Sequence, residues 1–105
     1  MNRNTWKSGE RRIATIFGTQ RTPLSGGNSR HTRSDTLHKG LFIEVKHRKK
    51  IPAEKLWTKT VDEAKLEEKI PLIVLIRKNH AEPLVLCKLS DIKKIGREIV
   101  IEWEI

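Results

Sequence analysis

Seven consecutive apolar residues, Ile70 to Ile76, limit what this chain can fold into more than any other stretch. The run contains Pro71 and is far shorter than the roughly 20 residues needed to span a bilayer, so no membrane segment is expected. Lacking polar alternation, Leu72 to Ile76 reads as a strand covered on both faces, which is the place of a central strand in a sheet with helices packed against it. At 105 residues the chain has room for one core and not for two, so a single domain over residues 1–105 is expected.

The elements around that strand follow from periodicity and punctuation. Glu10, Ile13, Ala14 and Phe17 recur at helical spacing, predicting a helix over residues 6–17 with Thr5 as N-cap and Gly18 as the closing glycine. A short strand over 19–22 ends at Pro23, and residues 24–34, rich in Gly, Ser and Thr, read as a mobile surface loop. From Asp35 the pattern gives a hairpin turning across His38, Lys39 and Gly40; its second strand puts Leu41, Ile43 and Val45 on one face and Phe42, Glu44 and Lys46 on the other. Pro52 opens a helical region, and Thr60 to Glu63, T-V-D-E, has the form of a capping box that starts or restarts a helix running to Lys69. Trp57, Val61, Ala64 and Leu66 supply its apolar face. Two more strands are expected, at 84–89 and 98–105, separated by one helical turn capped by Ser90; the last alternates Ile99, Ile101, Trp103 and Ile105 against Glu98, Glu102 and Glu104. The sum is a mixed sheet flanked by helices, without internal repeats.

Charge is distributed unevenly along this order. Residues 1–50 carry 12 Lys and Arg against 3 Asp and Glu, whereas residues 51–105 carry 10 of each, so the whole net charge of +9 lies in the first half. That asymmetry points to a polyanionic partner, most commonly nucleic acid, whose neutralised phosphates release counterions. The three acids of the basic half are Glu10 on the core-facing stripe of the first helix, Asp35 at a strand start, and Glu44 on the same strand face as Lys46. If the hairpin packs beside the helix, the three carboxylates converge. Grouped carboxylates without a paired cation repel one another and lose hydration, so a divalent metal is the usual countercharge, and oxygen ligands favour Mg²⁺ or Mn²⁺. The plainer alternatives are that Glu44 and Lys46 are an ordinary exposed pair and Glu10 an acid favouring the helix dipole.

The stretch D-x8-E-V-K from Asp35 through Glu44 to Lys46, preceded by a helix bearing Glu10, resembles the PD-(D/E)XK nuclease superfamily. More narrowly, KSGERRIATIFG, RTPLSGG and IEVKHRKK look like small archaeal-type Holliday junction resolvases and related phage nucleases, over about residues 6–76. Ser34 stands where that motif has its nominal proline. The resemblance implies a restriction-endonuclease-like α/β fold with an αβββαβ core, here extended by C-terminal strands. It further implies that Asp35, Glu44 and the Val45 carbonyl bind Mg²⁺, that Glu10 completes the outer shell or holds a second ion, and that Lys46 steadies the attacking water or the developing charge. Arg11, Arg21 and Ser25 fall where that pattern has groups near the scissile phosphate. Arg30, Arg33, Lys39, Arg48, Lys49 and Lys50 surround the proposed site in sequence and are expected to hold phosphates without reading bases.

Other chemistries find little support. His31, His38, His47 and His80 have no zinc-ligand spacing, and S-G-G is followed by Asn28 and Ser29 instead of G-K-[ST], so neither zinc nor a nucleotide cofactor is expected. Cys87 reads as a buried small hydrophobe. Trp57 and Trp103 fall on apolar faces, leaving Trp6 as the tryptophan to place near DNA. The N-terminal stretch lacks the apolar core of a secretory signal, so a cytoplasmic location is expected. The leading expectation is a Mg²⁺-dependent endonuclease cutting branched DNA as a homodimer. The alternatives are a phage or mobile-element nuclease acting on forks, flaps or duplex, and a non-catalytic basic DNA-binding module.

Overall fold

Residues 3–23, 32–47, 52–77 and 82–103 are described by the computed structural model, with side chains from residue 7 onward. Helix α1 spans Arg3–Ile16. It begins before Thr5, so that residue is not the N-cap. Its buried stripe is the one the spacing predicts, Glu10, Ile13, Ala14 and Phe17. The helix closes on Gly18, whose φ of 67° is open to glycine at no steric cost. The Gly18 N–H donates to the Thr15 carbonyl at 3.0 Å and the Thr19 N–H to the Ala14 carbonyl at 2.9 Å, the paired closure of a Schellman motif. Gly9 serves a different purpose: a Cβ there would lie 2.5 Å from the His47 ring, so its absence lets α1 approach the sheet.

The sheet has three strands in the order β1 (Leu41–His47), β2 (Ile70–Ile76), β3 (Leu84–Leu86). β1 and β2 are parallel, paired from Leu41 opposite Ile70 to His47 opposite Ile76, and β3 is antiparallel to β2. A parallel pair needs a crossover, which α2 (Ala53–Leu66) provides. On one sheet face Leu41, Ile43, Val45, Leu72 and Val74 pack with Ile13 and Phe17 of α1 and with Ile95. On the other, Phe42 and Ile73 are sealed from solvent, and α2, which packs on β2 and β1, buries Thr60 and Ala64. The apolar run at 70–76 is thus a central strand covered on both sides. Each fully buried Leu, Ile or Phe contributes about 1.5–3 kcal/mol.

Several elements differ from expectation. Among the described residues the strands at 19–22 and from Asp35 shrink to a single bridge between Arg21 and Thr36, beside a three-stranded mixed sheet flanked by helices. Thr32 and Ser34, expected in a surface loop, are buried. The T-V-D-E box lies inside α2, where the Thr60 hydroxyl donates back to the Leu56 carbonyl at 2.8 Å; a hydroxyl in mid-helix finds the preceding turn before any N–H. α2 ends at Leu66, not Lys69, through the same double closure as α1, but with Glu68 at φ 55° in the place of a glycine. Leu66 points to solvent.

Beyond β3, a 3₁₀ turn (Leu89–Asp91) leads into helix α3 (Ile92–Arg97), longer than one turn and without a Ser90 cap. Over residues 98–103 no strand forms. The Val100 N–H instead donates to the Ile16 carbonyl at 2.8 Å, tying this segment to the end of α1 rather than to the sheet. Cys87 is half-buried, and burial, with the charge of Asp91, raises its thiol above the ordinary range. Among the described residues no helix is long and apolar enough to cross a membrane.

Candidate functional site

Asp35 is held beside β1 by its neighbours in sequence. The fully buried Ser34 hydroxyl donates to the Ile43 carbonyl at 3.0 Å and accepts the Ile43 N–H at 2.9 Å, while the Asp35 N–H donates to the same carbonyl at 2.9 Å. On the opposite side, the Thr22 hydroxyl donates to the Ser34 carbonyl and the Thr22 N–H to the Asp35 carbonyl, each at 2.9 Å. A serine at 34 therefore stands in for a strand residue, making with its side chain the bonds that a ladder would make with backbone. The segment is also fastened to the end of α2. Glu67 accepts from the Thr32 hydroxyl and, at 3.0 Å, from the Arg33 N–H, with Lys69 3.4 Å away. Burial pushes the Glu67 carboxyl up, but these donors outweigh it and hold the group below its ordinary value.

The Asp35 carboxyl turns toward β1, where Oδ2 accepts the Val45 N–H at 2.7 Å. In a strand, the N–H and C=O of one residue point to the same edge, so the Val45 carbonyl lies on the Asp35 side. Burial, then the charge of Glu44, push the Asp35 carboxyl up; the Val45 N–H opposes them, and the charge and hydrogen-bonding of Glu10 add to the rise, leaving it at about 8 against an ordinary 3.8. The three acids of the basic half thus act on one another. Glu10 is completely buried, and its Oε2 meets no hydrogen-bond donor among the described residues.

Two of the three acids have cations of their own, one of them disclosed by the same-face spacing of Glu44 and Lys46 and the other not. Arg21 Nε donates to Glu10 Oε1 at 2.7 Å, with the arginine side chain itself mostly buried. Arg21, expected to hold a DNA phosphate, is thereby a partner of Glu10, and the expectation of carboxylates without a paired cation is corrected. Lys46 Nζ lies 2.9 Å from Glu44 Oε1, as alternation on one strand face allows. Asp35 is the acid for which no cation partner is found among the described residues. No three His, Cys, Asp or Glu side chains there stand as a ready-made metal-ligand group. Two carboxylates and a backbone carbonyl still suit Mg²⁺, which commonly takes one or two carboxylates and fills its octahedron with water and substrate phosphate.

The other candidates are scattered more widely. Arg11 is exposed and, with Thr15, Thr19, Gln20 and Arg21, lines a cavity of about 380 Å³. Arg33 reaches toward Glu63 on α2 at 3.9 Å, so acids share its charge. Lys39 is exposed in the turn before β1. Ser25, Arg30, Arg48, Lys49 and Lys50 lie outside the described residues. Sequence reasoning missed Ser34, Thr22 and Glu67, which position Asp35. For Thr22 and Ser34 the only signal was the cluster of hydroxyl residues around Asp35, which reads equally well as loop composition, and Glu67 had none.

Comparison with protein-family models, with curated proteins and with solved structures gives no match.

Proposed function

We propose that this chain is a metal-dependent endonuclease that hydrolyses phosphodiester bonds in branched DNA, resembling a Holliday junction resolvase and acting as a homodimer. The observation that carries the reading is the placement of Asp35, buried with its Oδ2 on the Val45 N–H at 2.7 Å beside two other acids. A carboxyl is held near 8, against an ordinary 3.8, by its own burial and by two neighbouring acids. Arg21 and Lys46 answer Glu10 and Glu44 but leave Asp35 without a cation of its own among the described residues, and a divalent cation is the countercharge that suits oxygen ligands. Asp35, Glu44 and the Val45 carbonyl are the residues to hold Mg²⁺ or Mn²⁺, which would supply a bound water of lowered pKa and draw charge from the phosphate. Glu10, anchored by Arg21, fixes the far side of Asp35. Lys46, paired with Glu44 at 2.9 Å, would be free to face the phosphate if a metal took Glu44, and an ammonium there is worth more against the developing charge than in the ground state. The excess positive charge of residues 1–50 supports a polyanionic substrate, and two symmetric cuts across a junction call for the two sites of a C2 dimer.

A second reading keeps the DNA and drops the chemistry. The Glu10–Arg21 and Glu44–Lys46 pairs favour it, because a binding module with structural acids has no further need of a cation. Labelled four-way junction, fork and linear duplex, incubated with Mg²⁺ or with EDTA, separate the two. The nuclease reading expects cleavage of branched substrates with Mg²⁺ only, lost in Asp35→Asn and in Glu44→Gln, while Lys46→Ala loses turnover but keeps junction affinity. Binding without cleavage under every condition would establish the module instead. Cleavage of forks or duplex in preference to junctions would assign a structure-specific nicking enzyme.

A further inference from the structure

We infer that the edge of β3 and the apolar groove beside it form the contact between two copies of this chain, related by a twofold axis. The order β1-β2-β3 leaves β3 paired on one side only among the described residues. A strand in that position presents outward N–H and C=O groups, a template for another strand. Its side chains are apolar yet remain in solvent, with Leu84 48% and Val85 56% exposed. Next to them is an open cavity of about 530 Å³, lined by Ile16, Phe17, Pro83, Leu84, Ile99 and Trp103 among others. The Trp103 indole N–H is sealed there without a hydrogen-bond partner among the described residues, while Arg12 covers the ring face at 3.7 Å. Val100 and Ile101, at least half exposed, carry the apolar surface onward. A contiguous patch of this kind marks a place of association.

Charge selects the occupant. Glu82 and Glu102 line the groove and Arg12 lies over Trp103 beside it, so both signs stand at this surface. A nucleic acid finds no net attraction there, and a strongly charged partner finds no complement. A second copy finds both signs repeated in itself, as an isologous contact requires. Antiparallel pairing of β3 with its counterpart places the axis near Val85 and joins two three-stranded sheets into one of six. The inference deepens the proposed nuclease reading, on which the use of the dimer rests, but the surface stands on its own.

Sedimentation velocity of the full chain, without DNA or metal, from low to high micromolar concentration is expected to show a monomer–dimer equilibrium. Val85→Lys brings two like charges together at the axis and is expected to weaken it about a hundredfold or more. Leu66→Lys, on the exposed end of α2, should leave it unchanged. Because a charged variant can misfold, Val85→Cys in a Cys87→Ser background gives an independent reading: mild oxidation should yield a disulfide-linked dimer. A wild type that stays monomeric, a dimer indifferent to Val85→Lys, or a Val85→Cys chain that never cross-links overturns the inference. A monomer that still cuts junctions removes this interface and leaves the chemistry; a dimer that cuts nothing does the reverse.

Discussion

Asp35 has a folded-state pKa above its unfolded one, which fixes how stability must vary with pH. Protonated in both states, the group costs nothing below about 3.8; as pH rises toward 8 the unfolded chain releases its proton first, and folding grows less favourable. Each unit of that gap is worth about 1.4 kcal/mol. Chemical denaturation of metal-free protein at pH 5 and pH 8 should therefore show wild type losing on the order of a few kcal/mol, and Asp35→Asn losing clearly less. Mg²⁺ should restore wild-type stability at pH 8, have little effect at pH 5 where the proton competes, and do nothing for Asp35→Asn. Arg21→Ala tests the other half of the cluster. Stripping a buried carboxylate of its cation typically costs about 3–5 kcal/mol, so thermal unfolding should register a large loss, and Arg21→Lys only a partial rescue of the donor at Nε. That Glu10, Asp35 and Glu44 could converge was legible from the sequence, because three acids stood out in a basic half, with Glu10 on a core-facing helix stripe, Asp35 at a strand start and Glu44 on the strand face of Lys46. The claim of Arg21 on Glu10 was not. It depends on Arg21 lying in a segment that crosses beside α1, a contact across eleven residues that no local period encodes.

α1 and α2 end by the same closure on different residues, and the difference is measurable. Gly18→Ala must place a side chain at φ 67° and within 3.3 Å of Val100, for a loss of about 1–2 kcal/mol. Glu68→Gly removes the corresponding strain at φ 55° and should be neutral or stabilising by up to about 1 kcal/mol in denaturant titrations. The helix ends show where sequence reading works. Gly18 announced its terminus; Glu68, a good helix former, concealed one, and α2 was drawn three residues too long. The final segment failed for another reason. Alternation at Ile99, Ile101 and Trp103 is what a strand needs, yet pairing needs an open edge within reach, and the end of α1 claimed the Val100 N–H instead. The apolar run at 70–76 was read correctly because its burial on both faces leaves few alternatives.

Across the whole molecule, charge separates into a basic first half and a neutral second half. If the first half holds DNA phosphates, junction binding should weaken with salt at a slope near −0.9 per phosphate engaged, and changing Arg48, Lys49 and Lys50 together to alanine should flatten that slope by up to about 3. Fluorescence anisotropy in EDTA across a salt series would check this apart from any cleavage. An unchanged slope would remove those three residues from the contact.

The fastening of residues 32–36 has a consequence for the order in which the protein is made. Asp35 is set by Ser34 bonding to Ile43, by Thr22 from before it, and by Glu67 holding Thr32 and Arg33 from after it. A chain leaving the ribosome has synthesised Glu10, Asp35, Glu44 and Lys46 well before Glu67 emerges. Until the second helix has closed, Thr32 and Arg33 lack the carboxylate that fastens them. The surroundings of Asp35 are therefore completed from the C-terminal side, late in synthesis.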